Sequence, residues 1–222
     1  MGYVWDFGVV VRYLPDLLDG LVNTLILSAA AIAGGLVVGL LLALARLCGI
    51  AALVWPARAV IAFMRATPPL VHLFWVFYAL PQLTGIALSP FIAAWLALSV
   101  QSGAFFAEVF RAGISSVEAG QWEAARALGL PWPIMMRRVV LPQAIRRMVA
   151  PFTERAFELA KTTALAATLA YGELLYRAMT IASVTYRPLE VYTAVAALFF
   201  IVLTATSLVL RRIEARAQRF GA

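Results

Sequence analysis

Glu123-Ala124-Ala125-Arg126-Ala127-Leu128-Gly129, followed further on by Val140-Leu141-Pro142, is a polar, arginine-bearing run of helix formers set between long apolar segments. An ordered polar insert in so apolar a chain is most simply a handle for another protein to grip. The segments around it then read as helices crossing a bilayer, and the fold follows from that context.

Composition supports this. The chain has 222 residues and is 64% hydrophobic, with a mean hydropathy of +0.90, against roughly 45–50% apolar in soluble domains. No soluble fold of this size hides that much apolar surface, so lipid must solvate part of it. A β-barrel would show alternating segments of about ten residues, whereas here the apolar runs are unbroken. The expected class is therefore all-α integral membrane.

The net charge of +7 does not point to nucleic acid, because the basic residues cluster between apolar spans as in cytoplasmic loops. Cys48 is the lone cysteine, which excludes a disulfide framework, and His72 is the lone histidine, which excludes a histidine-cluster metal site. The N-terminus has neither the short basic flank nor the cleavage site of a signal peptide.

Read along the chain, residues 1–19 suggest an interfacial helix with Tyr3, Trp5 and Tyr13 at headgroup depth, interrupted by Pro15. Five spans follow within 20–212, and 213–222 form a cytoplasmic tail. Span one covers about Asn23 to Ala45 and carries Gly35-x-x-x-Gly39, which marks either a close helix contact or routine membrane glycine. Arg65-Ala66-Thr67-Pro68-Pro69 divides the second apolar segment into a short leading helix, a kink and a span from Leu70. Span three covers about Phe91 to Phe110, the polar insert 112–141, and span four about Pro142 to Leu159. Residues 161–188 read as a re-entrant or surface segment, and span five is Leu189 to Leu210. With the insert inside, thirteen of the eighteen basic residues lie on or near the cytoplasmic side, leaving Arg12, Arg155, Lys161, Arg177 and Arg187. The positive-inside bias then puts the N-terminus outside and the C-terminus in the cytoplasm.

Within the insert, Gly129 can supply the left-handed residue that ends a helix, and Pro131 and Pro133 suit the start of a second. Two brief helices joined at a stiff corner would transmit force, where a flexible loop would not. An ordinary amphipathic hairpin is the competing reading.

The whole pattern resembles the coupling loop of type I ABC-importer permeases. The resemblance extends through Gly20-Leu21-Val22-Asn23-Thr24-Leu25, Arg65 to Leu70, Ala107 to Ile114, Gly120-Gln121-Trp122-Glu123-Ala124-Ala125, Leu141-Pro142-Gln143-Ala144 and Lys161-Thr162-Thr163-Ala164-Leu165. These look like the motifs of polar amino-acid ABC permeases over about 20–212. Ala66 and Glu154 depart from the pattern, which commonly has Gly and Asn there. The resemblance implies five transmembrane helices in the MetI-like fold and a transport subunit with no catalytic residues, cofactor or metal. It also implies a separate cytoplasmic ATPase dimer, an external substrate-binding protein and a second permease, identical or paralogous. The bacterial inner membrane is the implied location. Gly120, Glu123, Ala124, Ala125, Gly129, Leu141 and Pro142 are the implied contacts with the ATPase. No G-x-x-x-x-G-K-[ST] loop occurs that could cradle a nucleotide.

Charges inside the predicted spans form a second group. Each would cost roughly 2.5–3.5 kcal/mol facing lipid at mid-bilayer, so they should face the bundle or a wet cavity. Glu108 with Arg111 reads as a structural pair. Glu154, Glu158 and Lys161 share a helical face. They are either a self-paired cluster, Glu158 with Lys161, or the lining of a cavity for a zwitterion, with Thr67, Gln101 and Ser102 as neutral partners. An ion-coupled transporter or channel using Glu154 is the alternative function, although no internal repeat supports it.

Overall fold

The computed structural model describes residues 3–219 and is all-helical among them. Met1 and Gly2 of the expected interfacial segment, and Phe220 to Ala222 of the expected tail, lie outside the described residues. Helix α1 is a single turn, Gly8–Arg12. Pro15 does not interrupt an interfacial helix; it sits in the first turn of α2, Leu14–Leu47, where its missing N–H costs nothing. Residues 14–19 thus belong to the first long helix, whose 34 residues extend about 51 Å, beyond the hydrocarbon thickness of about 30 Å.

Helix α3 is Ala51–Ala66, longer than the short leading helix expected. Thr67 and Pro68 are both extended (ψ 138° and 142°), because each precedes a proline that excludes it from the helical region. The chain turns by 110° there and resumes as α4, Pro69–Phe74, a π-turn at Trp75–Ala79, and α5, Leu80–Thr84. Gly85, at φ +73°, ends that run. Helix α6, Pro90–Ser115, is capped by Ser89, whose Oγ accepts from the Ile92 N–H.

The insert holds α7, Ala119–Ala127, then α8, Trp132–Met135, which passes through a π-turn at Met136–Val140 into α9, Leu141–Thr162. The second helix is therefore not brief. Both π-turns stop immediately before a Leu-Pro pair, Leu80-Pro81 and Leu141-Pro142. A proline donates no bond to the residue four back and crowds its carbonyl, so widening the preceding turn relieves the conflict.

Residues 161–188, expected as a re-entrant or surface segment, form a packed helical hairpin. A 3₁₀ stretch, Thr163–Leu169, reverses at Ala170 (φ +57°) into α10, Leu174–Thr185, and α11 follows as Pro188–Arg219. Leu174, Ala178, Ile181 and Ala182 bury against Leu17, Val191 and Val195. A polar stripe on α2 fixes this hairpin: Asn23 Nδ2 donates to Gly172 O at 2.9 Å, and Thr24 Oγ1 accepts from Leu174 N–H at 3.1 Å. Ser28 and Thr163 hydroxyls pair at 3.2 Å, and the buried Glu173 caps α10 by accepting from Tyr176 N–H at 2.7 Å. At the N-terminus, Tyr3 O–H and the Asp6 N–H donate to the buried Glu190 carboxylate, and Arg187 reaches the Val4 carbonyl at 2.9 Å.

Among the described residues three helices are long and apolar enough to cross a membrane, Leu14–Leu47, Pro90–Ser115 and Pro188–Leu208, and the bent pair makes a fourth if it is one span. Helix α9 is long enough, but Arg146, Arg147, Glu154, Arg155, Glu158 and Lys161 lower its apolarity. His72 is buried inside the bundle, and neither ring nitrogen has a hydrogen-bond partner among the described residues. It borders an apolar cavity of about 550 Å³.

The α2–α6 seam organises the bundle. A Cβ on Gly35 would lie 3.0 Å from Ser102 Cβ, and one on Gly39 only 2.7 Å from Phe106 Cβ and 2.9 Å from the Gly103 carbonyl. The Gly-x-x-x-Gly spacing therefore marks a true close approach. On the same seam Glu108 binds three guanidinium groups: Arg111 Nε at 2.8 Å, Arg65 at 3.7 Å, and Arg46 in direct contact. The expected Glu108–Arg111 pair exists, and α2 and α3 join it.

Gly39→Leu should destabilise the bundle by about 2 kcal/mol, in the overpacking range, while Gly120→Ala, whose Cβ meets nothing within 4 Å, should not. Thermal unfolding in detergent with fluorescence readout distinguishes the two, and an unchanged Gly39→Leu midpoint would show that the seam is looser than described. Glu108→Gln leaves three guanidinium groups without their anion and should cost roughly 2 kcal/mol in the same assay.

Candidate functional site

Two regions carry the residues singled out above, and one helical run connects them. The first is the polar insert. Its α7 ends in a Schellman arrangement: the Leu130 N–H donates to Ala125 O at 3.2 Å, Gly129 N–H donates to Arg126 O at 2.9 Å, and Gly129 stands at φ +67°. A side chain there would be strained, so glycine ends the helix without cost. Ala125 is buried, packing with Val109, Val117, Met135, Val140, Ala144 and Met148 as a small core beneath the insert. That core lets a short helix with few internal bonds hold its place.

Polar contacts tie the insert to its neighbours. Gln143 Nε2 donates to Gln121 Oε1 at 3.3 Å and to Val139 O at 2.9 Å. Arg147 donates to the Ser116 carbonyl and lies 3.8 Å from Glu118. Gly120, Glu123, Ala124 and Gly129 are exposed, and Leu128 and Trp132 are exposed beside them at 78% and 65%. The insert thus presents a charged and apolar outer surface above a fixed inner one. Leu141 and Pro142 stand apart from that surface, at the π-turn where α9 begins.

The second region is a cavity of about 720 Å³ inside the elbow between α3 and α4. The bend at Thr67-Pro68 opens it, α6 supplies Gln101, Ser102 and Phe105, and the end of α9 supplies Arg155, Glu158, Lys161 and Thr162. Thr67, Gln101, Ser102, Glu158 and Lys161 are thereby brought to one space. Glu154 is not: it lies exposed, one turn before Glu158 and outside the lining.

The expected Glu158–Lys161 pair is not formed. Glu158 Oε2 binds Arg155 at 2.5 Å, and Lys161 Nζ rests 4.9 Å from the centre of the Phe157 ring. Arg155, at i−3, offers a planar fork to the carboxylate. Arg65, Arg155 and Phe105 also line the cavity, although the sequence did not single them out for it. Arg65 and Arg155 place their guanidinium carbons 5.6 and 4.9 Å from the centre of the Phe105 ring. The available signal was Phe105 standing one helical turn after Gln101. Among the described residues no group of three His, Cys, Asp or Glu could hold a metal ion.

The two regions meet through residues 132–162. From α8 through the π-turn to the end of α9 every residue is helical, about 45 Å of continuous backbone. One end is packed beneath the insert and the other forms a wall of the cavity.

Comparison with known proteins agrees with this layout. Residues 35–219 match the family described as binding-protein-dependent transport system inner membrane component. The chain is 37% identical to the probable amino-acid ABC transporter permease protein YckA of Bacillus subtilis, over 89% of this chain and 87% of that protein. It is 35% identical to the glutamine transport system permease protein GlnP of Escherichia coli K12, over 96% and 97%. A crystallised amino acid ABC transporter superposes with a TM-score of 0.92 at 35% identity, covering 96% of this chain and 100% of that one. The inward-facing MetNI methionine ABC transporter, at 24% identity and a TM-score of 0.69 over 94% and 96%, shares the fold. Neither the family nor these relatives support an ion-coupled carrier. An insert braced on its own core, one helix leading from it to an open cavity at the elbow, and a family match over most of the chain agree: this protein belongs to the binding-protein-dependent transport system inner-membrane components, the permease subunits of ABC importers.

Proposed function

We propose that this permease imports polar amino acids or related zwitterions, such as opines or ectoines, and that loop 112–141 carries the ATPase's movement to the elbow cavity. The observation that supports this reading above others is the unbroken helical run 132–162. A partner that shifts the insert acts on Arg155, Glu158 and Lys161 through this one helix, which the π-turn, Pro142 and Pro151 bend without ending. The family description supplies a binding protein as one partner, and ABC importers draw their energy from a separate ATPase subunit. The relatives' printed substrates, glutamine and amino acids in general, support the substrate class.

In this reading Glu123, Ala124 and Gly129 contact the ATPase, with Gly120 and Leu128 beside them; Ala125 braces the contact from within, and Leu141 and Pro142 pass it into α9. The ATPase grips one state of the permease more tightly than the other, and that difference in affinity drives alternating access. Thr67, Gln101, Ser102, Glu158 and Lys161 line the substrate path, and Glu154 stands beside it. The permease domain spans 20–212, with α9 and the bent pair completing five spans. Arg126, Arg137, Arg138, Arg146 and Arg147 around the insert support a cytoplasmic position for it, and with it an outer N-terminus and an inner C-terminus. A second permease, identical or paralogous, completes the pathway across a bacterial inner membrane.

Glu123→Arg, at normal membrane levels, should lower both uptake and transport-coupled ATP hydrolysis by about tenfold, the scale for reversing a charge at a protein interface; wild-type rates would remove Glu123 from the contact. Orientation has its own test. With Cys48→Ser as background, Ala124→Cys should react with a membrane-impermeant thiol reagent only in inside-out vesicles. Labelling of intact spheroplasts would place the insert on the outer face.

A further inference from the structure

The elbow cavity carries an excess of positive charge. Its lining holds three cations, Arg65, Arg155 and Lys161, and a single carboxylate, Glu158. Glu158 is already committed to Arg155 at 2.5 Å. Arg65 lies 3.7 Å from Glu108, but that carboxylate is outside the lining and is shared with Arg46 and Arg111. Among the described residues no carboxylate lies within ion-pairing distance of Lys161, whose ammonium rests over Phe157. Phe105 holds the guanidinium groups of both Arg65 and Arg155 against its ring, at 5.6 and 4.9 Å. The two arginines are thereby stacked in place at the cavity wall before any ligand arrives.

Guanidinium groups keep their charge at any physiological pH, so this excess cannot be relieved by deprotonating the arginines. The cavity is open and its charges are partly solvated, so the gain for an incoming anion is screened and depends on salt. A cationic side chain meets three like charges and one carboxylate that is already paired. We propose that the cavity selects amino acids carrying a second carboxylate, and so a net negative charge, over neutral and cationic ones. One carboxylate pairs with Lys161 and the other with the stacked guanidinium groups of Arg65 and Arg155, while Thr67, Gln101 and Ser102 serve the amino end. This specificity rests on the reading of the cavity as the substrate path.

The test uses the permease–ATPase complex in nanodiscs without the binding protein, so that affinity reports on this cavity alone. L-Glutamate and L-glutamine are nearly isosteric and differ by one charge, and L-arginine reverses the sign. Glutamate should bind about tenfold more tightly than glutamine, as one charge-assisted pair supplies, with arginine weaker than both. The advantage should shrink as salt is raised. Lys161→Gln should abolish glutamate's advantage over glutamine, and Lys161→Arg should keep it, which separates a charge effect from damage to the fold. Glutamine or arginine binding as well as glutamate overturns the proposal, and so does an intact preference in Lys161→Gln or the absence of binding by all three. Failure of the coupling reading shows elsewhere: Glu123→Arg would then leave coupled ATP hydrolysis unchanged while the glutamate preference persists.

Discussion

Close approach of α2 and α6 is the constraint on which the rest of this protein depends. Helices in lipid gain little from hiding apolar surface against one another, so they associate where backbones can come near enough for dense packing and polar contact. Gly35, Gly39 and Gly103 provide that approach, and a Cβ at either Gly39 or Gly103 would strike the facing helix. With α2 and α6 locked, Gln101, Ser102 and Phe105 face the elbow, and Glu108 reaches arginines on two other helices. Asn23 and Thr24, further along α2, pin the turn before α10. One seam thus positions the cavity wall, the ion cluster and the hairpin 163–185.

Prolines shape what the seam holds. Two consecutive prolines after Thr67 exclude two residues from helical geometry and open the elbow that becomes a cavity. Pro142 has the opposite outcome at the start of α9. The turn before it widens into π geometry and the helix continues. The difference is one of spacing: a single proline leaves its predecessor a helical option when the previous turn can expand, whereas Thr67-Pro68-Pro69 leaves none at two successive positions. Polypeptide is therefore broken where a cavity is needed and continuous where displacement must travel.

The charges follow the same division of labour. Glu108 gathers arginines from α2, α3 and α6 and serves the architecture. Arg155 and Lys161 face the cavity with one carboxylate between them. Burying charge in a membrane protein is costly unless it is paired or wetted, and the two groups meet that demand differently, the first by pairing and the second by standing at a cavity surface.

Class, helix content and the polar insert were all legible in the residues, because lipid solvation demands long apolar runs and Gly129 and Pro131 punctuate helices through local backbone sterics. Residues 161–188 were not legible. Their burial depends on hydroxyls and an amide of α2 some 150 positions away, which leave no periodic trace in the segment itself. Partner choice was equally hidden: Glu158 sits within reach of Arg155 on one side and Lys161 on the other, and spacing alone does not decide between them. The sequence by itself determined which segments are helical and where the backbone must bend, since those are consequences of covalent geometry and solvation. Only the tertiary structure decided that Arg65, Phe105 and Arg155 share a wall from which Glu154 is absent, because that depends on how three helices cross.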